Sequence, residues 1–272
     1  MNLVFEQEEI NHFLRRINVT PAVISSEYLK EIVSGIIEYI PFQNVSMLTN
    51  EWVRPSEEMI KSDMLTGLGG LCTVRNPFLH EFLRELGFNV RFVSSTISEP
   101  DCHISIIVEI EGEEWWVDVG NGFPYFDPIR LGDKSTKENW FMSYRLENVG
   151  GRYFVYHKMN NSSWKMNHHF SPEPVDFSVF DHMHEQHYSV PGWGPFLIGL
   201  RINRFWEDGG AIVRNEQSTC PTGESLLDTV DKLESWLNEW FTAPGFLDNV
   251  DISSADEIWR RERSKWCNED NC

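Results

Sequence analysis

Cys72, His103 and Asp118 stand in an order that nucleophilic catalysis can use. Cys72 follows Gly69-Gly70-Leu71 and opens a run in which Val74, Phe78, Phe82 and Leu86 recur every four residues. That spacing is one apolar stripe of a helix. Gly87 suits the left-handed position just past the end, because it carries no Cβ. Cys72 is therefore expected in the first turn. There, unpaired backbone N–H groups and the positive end of the helix dipole favour a thiolate over a thiol. A thiolate nucleophile needs a histidine to hold or accept its proton and a carboxylate or amide to orient that histidine. His103 opens the strand pattern 103–110, and Glu111-Gly112-Glu113-Glu114 turns it into Trp115-Trp116-Val117-Asp118-Val119. Adjacent antiparallel strands can set His103 and Asp118 on one face within hydrogen-bonding reach. Each residue alone has a plainer reading: Cys72 as a small buried hydrophobe, His103 as a partial-core imidazole, Asp118 as a turn or surface carboxylate.

The elements that must position these residues follow from periodicity. Residues 1–87 read as mostly helical. Phe5, Ile10, Phe13, Leu14 and Ile17 keep a helical rhythm. Ser25-Ser26 can cap a second helix with Leu29, Val33, Ile36 and Ile37 on one side, stopped by Pro41. Ser56-Glu57-Glu58 opens a third, with acids in its first turn, and the Cys72 helix is the fourth. From residue 88 the period becomes that of strands: 89–97, 103–110 and 115–119, then a hairpin about Gly150-Gly151. Several short strands in succession predict a barrel or sandwich. Pro172 to Pro195 reads as irregular. A last hairpin, 200–206 with 211–215, precedes a helix over 225–240 and a short one over 255–266. Trp236, Trp240, Trp259 and Trp266 are expected to pack the terminal unit.

Composition bounds the function. The chain has 272 residues, with 11 Trp and 18 Phe among them, and otherwise an ordinary globular composition. No run reaches the roughly 18 apolar residues of a membrane span, and the acidic start does not resemble a secretory signal. A cytoplasmic protein is expected. A net charge of −19 argues against nucleic acid and anionic membranes as partners. A polyanionic ligand would need a local cluster of Lys and Arg, and no such cluster is visible in the sequence. Cys72, Cys102, Cys220, Cys267 and Cys272 are scattered and form no C-x-x-C pair, so reduced thiols are expected and no zinc site. His182-x-His184-x-x-His187 would bring two imidazoles to one side of a strand. Without a carboxylate or cysteine pattern beside it, a polar loop is the expected reading and no metal is assigned. Cys102, next to His103, is expected to pack on the opposite face.

Gly69-Gly70-Leu71-Cys72 with Asn76, the helix end Leu83-Arg84-Glu85-Leu86-Gly87-Phe88, and Trp116-Val117-Asp118-Val119-Gly120 after His103 together resemble the arylamine N-acetyltransferase family. Pro41-Phe42-Gln43-Asn44 and Pro128-Ile129-Arg130-Leu131 are similar to two further elements of that family, in family order. The resemblance spans residues 30–131 well and is topological from about 200 onward. It implies an α+β fold with a cysteine-protease-like catalytic core. A helical domain over 1–87 would carry the nucleophile, a β-barrel domain over 88–195 would carry His and Asp, and an α/β lid would follow over 196–272. It also implies a ping-pong acyltransferase with Cys72, His103 and Asp118 as catalytic triad. An acyl thioester, usually acetyl-coenzyme A, would be co-substrate rather than a permanently bound cofactor, and an arylamine, hydrazine or related amine the acceptor. By family position Phe42, Leu71, Gly122 and Phe123 would line the pocket.

Three residues depart from the family pattern. Leu68 stands for an Arg, Gln43 for the Glu that would pair with it, and Asn121 for a Phe, which alters the acceptor pocket. Two other enzymatic readings share the triad: an amide synthase that closes macrolactams, and a transglutaminase-like amide hydrolase. A binding protein that keeps the fold without activity is the non-enzymatic reading. The acceptor, the acyl chain and the oligomeric state are not specified by the sequence.

Overall fold

Capping residues set the helix starts. In the computed structural model, which describes residues 1–159 and 162–268, Ser25 Oγ accepts the Tyr28 N–H at 3.1 Å and Ser56 Oγ that of Met59 at 3.2 Å. The helices Gln7–Arg16, Ser26–Tyr39, Glu57–Thr66 and Cys72–Glu85 pack together. Every residue from Cys72 to Leu83 is buried, so this last helix is enclosed on all sides. Phe78 and Phe82 stack at 5.6 Å, and Phe5 and Phe13 meet both rings edge-on. This cluster anchors the helix whose first turn carries Cys72.

Against it lies an eight-stranded antiparallel half-barrel sheet. From one edge its strands are Ile129–Arg130, Glu113–Val117, His103–Ile110, Asn89–Thr96, Lys165–Phe170, Arg152–Met159, Met142–Val149 and Lys137–Glu138. Ile104, Ile106 and Val108 alternate toward the helices, while Ile107, Trp116, Tyr144 and Phe170 fill the other side. A second sheet of five strands runs Phe42–Gln43, Arg201–Trp206, Gly209–Arg214, Gln217–Cys220 and Gly223–Leu226, backed by the helices Val230–Trp240 and Ile252–Trp266. Phe42 pairs with Asn203 and Gln43 with Ile202, so an N-terminal segment is an edge strand of the C-terminal sheet. Among the described residues no helix is long and apolar enough to cross a membrane.

The structure departs from the sequence reading in four places. The strand carrying Asp118 ends at Val117. Residues 177–189 are helical, as Phe177–Phe180 and Asp181–Ser189. Their buried face mixes Met183 and Tyr188 with His184 and His187, which hides the apolar rhythm. The hairpin Gln217–Cys220 with Gly223–Leu226 was unexpected because its residues are polar and largely exposed; the following helix then begins only at Val230, capped by Thr229. Cys267 is disulfide-bonded rather than reduced, while Cys72, Cys102 and Cys220 are free thiols. Spacing rules look for several regularly placed pairs, and one bonded cysteine among the described residues has no such signature. Cys272 lies outside the described residues.

Candidate active site

The start of the catalytic helix is shaped by the glycines before it. Gly69 has φ of 76°, and a Cβ there would meet the Pro41 carbonyl oxygen at 2.0 Å. Gly70 N–H donates to that same oxygen at 3.4 Å, and Gln43 N–H donates to Gly70 O at 3.3 Å. The turn before Cys72 is thus laced to the Phe42–Gln43 strand.

His103 and Cys72 are both buried and line the same cavity, close enough for the Cys72 sulfur to help hold His103 above its ordinary pKa. His103 Nε2 donates to Asp118 Oδ2 at 2.6 Å, which leaves Nδ1 as the ring nitrogen for the sulfur. The pairing geometry differs from a direct cross-strand pair. His103 lies opposite Ser95, and pairing with the neighbouring strand ends at Ile106 with Val117, short of His103. Asp118 reaches the imidazole from just beyond the strand's end. Its other oxygen, Oδ1, accepts Asn76 Nδ2 at 2.8 Å and the Gly120 N–H at 2.9 Å. Asn76 also donates to Ile104 O at 2.6 Å and accepts the Val119 N–H at 2.9 Å. One turn beyond Cys72, it ties the helix to both strands that bear the triad.

Burial opposes charge on both partners, and the pair overcomes it. Burial disfavours the imidazolium, but the Asp118 charge, its hydrogen bond and the Cys72 sulfur hold His103 well above its ordinary pKa. Burial would raise Asp118, yet His103 and the Asn76 amide keep it below the usual carboxylate range. His168 lies on the far side, with Nε2 4.0 Å from Asp118 Oδ2. Burial, then the His103 charge, pushes His168 down to about 3, so it stays neutral. His103, Asp118 and His168 are close enough to suggest a metal cluster, their ligand atoms lying within 4.8 Å of one another. His103 and Asp118, however, spend their facing atoms on each other.

Arg75 is the residue that the sequence reading missed. It is 2% exposed and has no carboxylate partner among the described residues. Its guanidinium donates to Val119 O at 2.5 Å, to Ile40 O, and to Ile36 O at 3.5 Å. Burial pulls it down to about 9, with the nearby Asp118 charge working the other way. Its spacing gave no signal, because Asn76, His80, Glu81 and Arg84 make the same helix mixed in polarity. Gln43, fully buried, caps Ser46 N–H at 3.1 Å and donates to Leu68 O at 3.4 Å, so Gln43 and Leu68 meet through a neutral hydrogen bond.

Cys72 and His103 open onto a cavity of about 270 Å³ whose wall includes Phe42, Asn121, Phe123, Asn167, His187 and Phe196. No Lys, Arg, Asp or Glu lines it. Of the four pocket residues expected, Phe42 and Phe123 line this cavity. Leu71 instead packs with Phe42, Met47, Tyr188 and Leu197. Gly122 lies under the Phe42 ring, where a Cβ would meet Cε1 at 3.0 Å, and its carbonyl accepts Asn203 Nδ2 at 2.9 Å. Asn121 Nδ2 donates to Asn167 Oδ1 at 3.0 Å on the cavity wall. Cys102 also lines the cavity, its sulfur accepting the Ile97 N–H at 3.3 Å, because it precedes the strand rather than alternating within it. The three spaced histidines lie on a helix and diverge. His184 donates to Phe180 O at 2.8 Å, His187 lines the cavity with Nδ1 unpartnered, and His182 is exposed.

The sequence pattern of an N-acetyltransferase family matches residues 26–242. The arylamine N-acetyltransferase of Escherichia coli (strain K12) is 30% identical over 155 residues, which are 52% of this chain and 54% of the relative. The chain thus matches about half the length of that relative. Among solved structures, the arylamine N-acetyltransferase from Salmonella typhimurium superposes with a TM-score of 0.82 at 20% identity, covering 94% of this chain and 100% of the other. The Mycobacterium marinum arylamine N-acetyltransferase in complex with CoA gives a TM-score of 0.80 at 21% identity, over 93% and 98% of the two chains.

Proposed function

The chain belongs to the N-acetyltransferase family, and from that membership we propose that it moves an acetyl group from acetyl-coenzyme A to an aromatic amine or hydrazine by way of a thioester on Cys72. The observation that carries this reading is the buried Cys72–His103–Asp118 chain at the floor of an uncharged, aromatic-walled cavity. In the first half-reaction the Cys72 sulfur attacks the donor's carbonyl carbon. The coenzyme A sulfur departs and takes the proton held by His103. In the second, the acceptor nitrogen attacks the acetyl carbonyl, His103 takes its proton, and the Cys72 sulfur leaves. Splitting the transfer in two lets one imidazole act as acid and then as base. The Cys72 backbone N–H, at the first position of the helix, faces no intrahelical acceptor and serves as an oxyanion donor.

Asp118 acts by holding the charged, correctly oriented imidazole, and Asn76 by holding Asp118. An acceptor entering the cavity meets aromatic rings, the Asn121–Asn167 amide pair and the neutral His187. Burial pushes His187 down to about 3, so this wall offers neutral hydrogen bonds and no counter-charge. The acceptor class that fits is therefore a neutral aromatic amine or hydrazine. Intact mass after mixing the protein with acetyl-coenzyme A and no acceptor tests the proposal. One acetyl group is expected on the parent, absent from Cys72→Ala and His103→Ala and discharged by an arylamine. A parent that stays unmodified while Cys72 alkylates normally rejects this donor.

A further inference from the structure

The cavity beside Cys72 is uncharged in its lining but not apolar, because two carboxamides sit side by side in its wall. Distant parts of the chain bring them together. Asn121 lies between two glycines that press the backbone against its surroundings. A Cβ at Gly120 would meet Cys72 Cα at 2.6 Å, and one at Gly122 would meet Phe42 Cε1 at 3.0 Å. Asn121 is therefore one residue from the point where its segment touches the nucleophile. Asn167 belongs to the strand Lys165–Phe170 and sits at a β-bulge. Val155 pairs with His168 and Tyr156 with Met166, which leaves Asn167 as the extra residue. Such a residue interrupts the alternation of the strand and re-aims a side chain.

Hydrogen bonds fix how the two carboxamides face the cavity. Asn167 Oδ1 accepts His168 Nδ1–H at 2.7 Å and Asn121 Nδ2 at 3.0 Å. His168 is fully buried beside Trp116, so this anchor is held from behind. Both donors go to one oxygen, which leaves Asn121 Oδ1 and Asn167 Nδ2 without a hydrogen-bond partner among the described residues. Both residues are half-buried and line the cavity, and neither atom is sealed from it. The wall thus presents one acceptor beside one donor. A neutral carboxamide or lactam is the complement, since its N–H and C=O also lie side by side. A carboxylate offers two acceptors and no donor. It would face Asn121 Oδ1 with a charge that no Lys or Arg in the lining offsets.

We propose that Asn121 and Asn167 select an acceptor whose aromatic ring carries a neutral carboxamide or lactam, bound by Asn121 Oδ1 and Asn167 Nδ2 together. The occupant's role as acceptor rests on the proposed acyl transfer; recognition of the group does not. The probes are 4-ethylaniline, 4-aminoacetophenone, 4-aminobenzamide and 4-aminobenzoate, each titrated into the protein without acyl donor and followed by ligand-observed NMR. In the parent, the ketone is expected to bind about fivefold more tightly than 4-ethylaniline, and the benzamide about fivefold more tightly again, one hydrogen bond at each step. The benzoate should bind more weakly than the ketone. Asn121→Leu removes the acceptor and should bring benzamide and ketone within about twofold of each other. Asn167→Asp keeps the oxygen that holds His168 and Asn121 but lacks the donor, so the ketone should lose its advantage over 4-ethylaniline. Circular dichroism checks that both variants fold. Equal binding of ketone and benzamide by the parent, tighter binding of the benzoate than of the benzamide, or a step that survives loss of its atom overturns the proposal. The expected binding order without acetyl transfer to 4-aminobenzamide supports this recognition site and rejects the transfer reading instead.

Discussion

Arg75 donates to the backbone carbonyls of Ile36, Ile40 and Val119, and so fastens the end of helix Ser26–Tyr39 to Val119, the neighbour of Asp118. Arg75→Met takes the guanidinium donor from the Ile40 and Val119 carbonyls and is expected to destabilise the fold by about 3 kcal/mol. The urea midpoint measures this, and Arg75→Lys should recover part of the loss. The triad makes a sharper prediction. Asp118→Asn removes the charge that keeps the His103 pKa up, so NMR should show the imidazole titrating at lower pH than in the parent. A group with a raised folded pKa adds stability below its unfolded value and loses it as pH rises through the folded one. That contribution from His103 shrinks in the variant, and acyl transfer falls at least about 100-fold. An unmoved titration would show that Asp118 does not set the state of His103. Residue types and spacing made this triad legible; the long, flexible Arg75 looks like a surface side chain until its helix is enclosed.

At the scale of elements, two close approaches decide the chemistry. A Cβ at Gly120 would meet Cys72 Cα and Asn76 Nδ2, both at 2.6 Å, so the strand end and the helix start touch through their backbones. Gly120→Ala should part them and abolish acetylation of Cys72 while circular dichroism stays that of a folded protein. The helix Asp181–Ser189 makes the second approach and carries buried imidazoles toward the cavity. Burial pushes His184 down to about 4 and His187 to about 3. Both are depressed, so their contribution is fully present above the unfolded value of about 6.5 and is lost as pH falls toward the folded values. His184 alone accounts for about 3 kcal/mol across that window. The denaturation midpoint should fall between pH 6.5 and pH 4, and more shallowly in His184→Gln. An identical pH slope in that variant would remove His184 from the account. This helix was illegible in sequence because its buried face is half polar.

Over the whole molecule, Asn44 connects the units. Its carboxamide makes three hydrogen bonds to segment 196–201, and the adjacent Phe42–Gln43 strand adds the N-terminal region to the C-terminal sheet. Asn44→Ala is expected to cost about 3 kcal/mol in stability and to speed hydrogen exchange in residues 193–201. Unchanged exchange there would mean that this segment is held by other contacts.

Matched motifs pointed to the family, and local rules acting on neighbouring residues were enough to read the helix caps, the strand pattern through residue 117 and the thiol at a helix start. These depend on hydrogen bonds and apolar periods within a few residues, so the sequence by itself determined them. The tertiary structure alone decided which carbonyls Arg75 reaches, how Asp118 comes off its strand to His103, and which aromatic rings face the nucleophile. Each of these depends on segments far apart in the chain being packed to within a few ångströms, and no local period encodes such a distance.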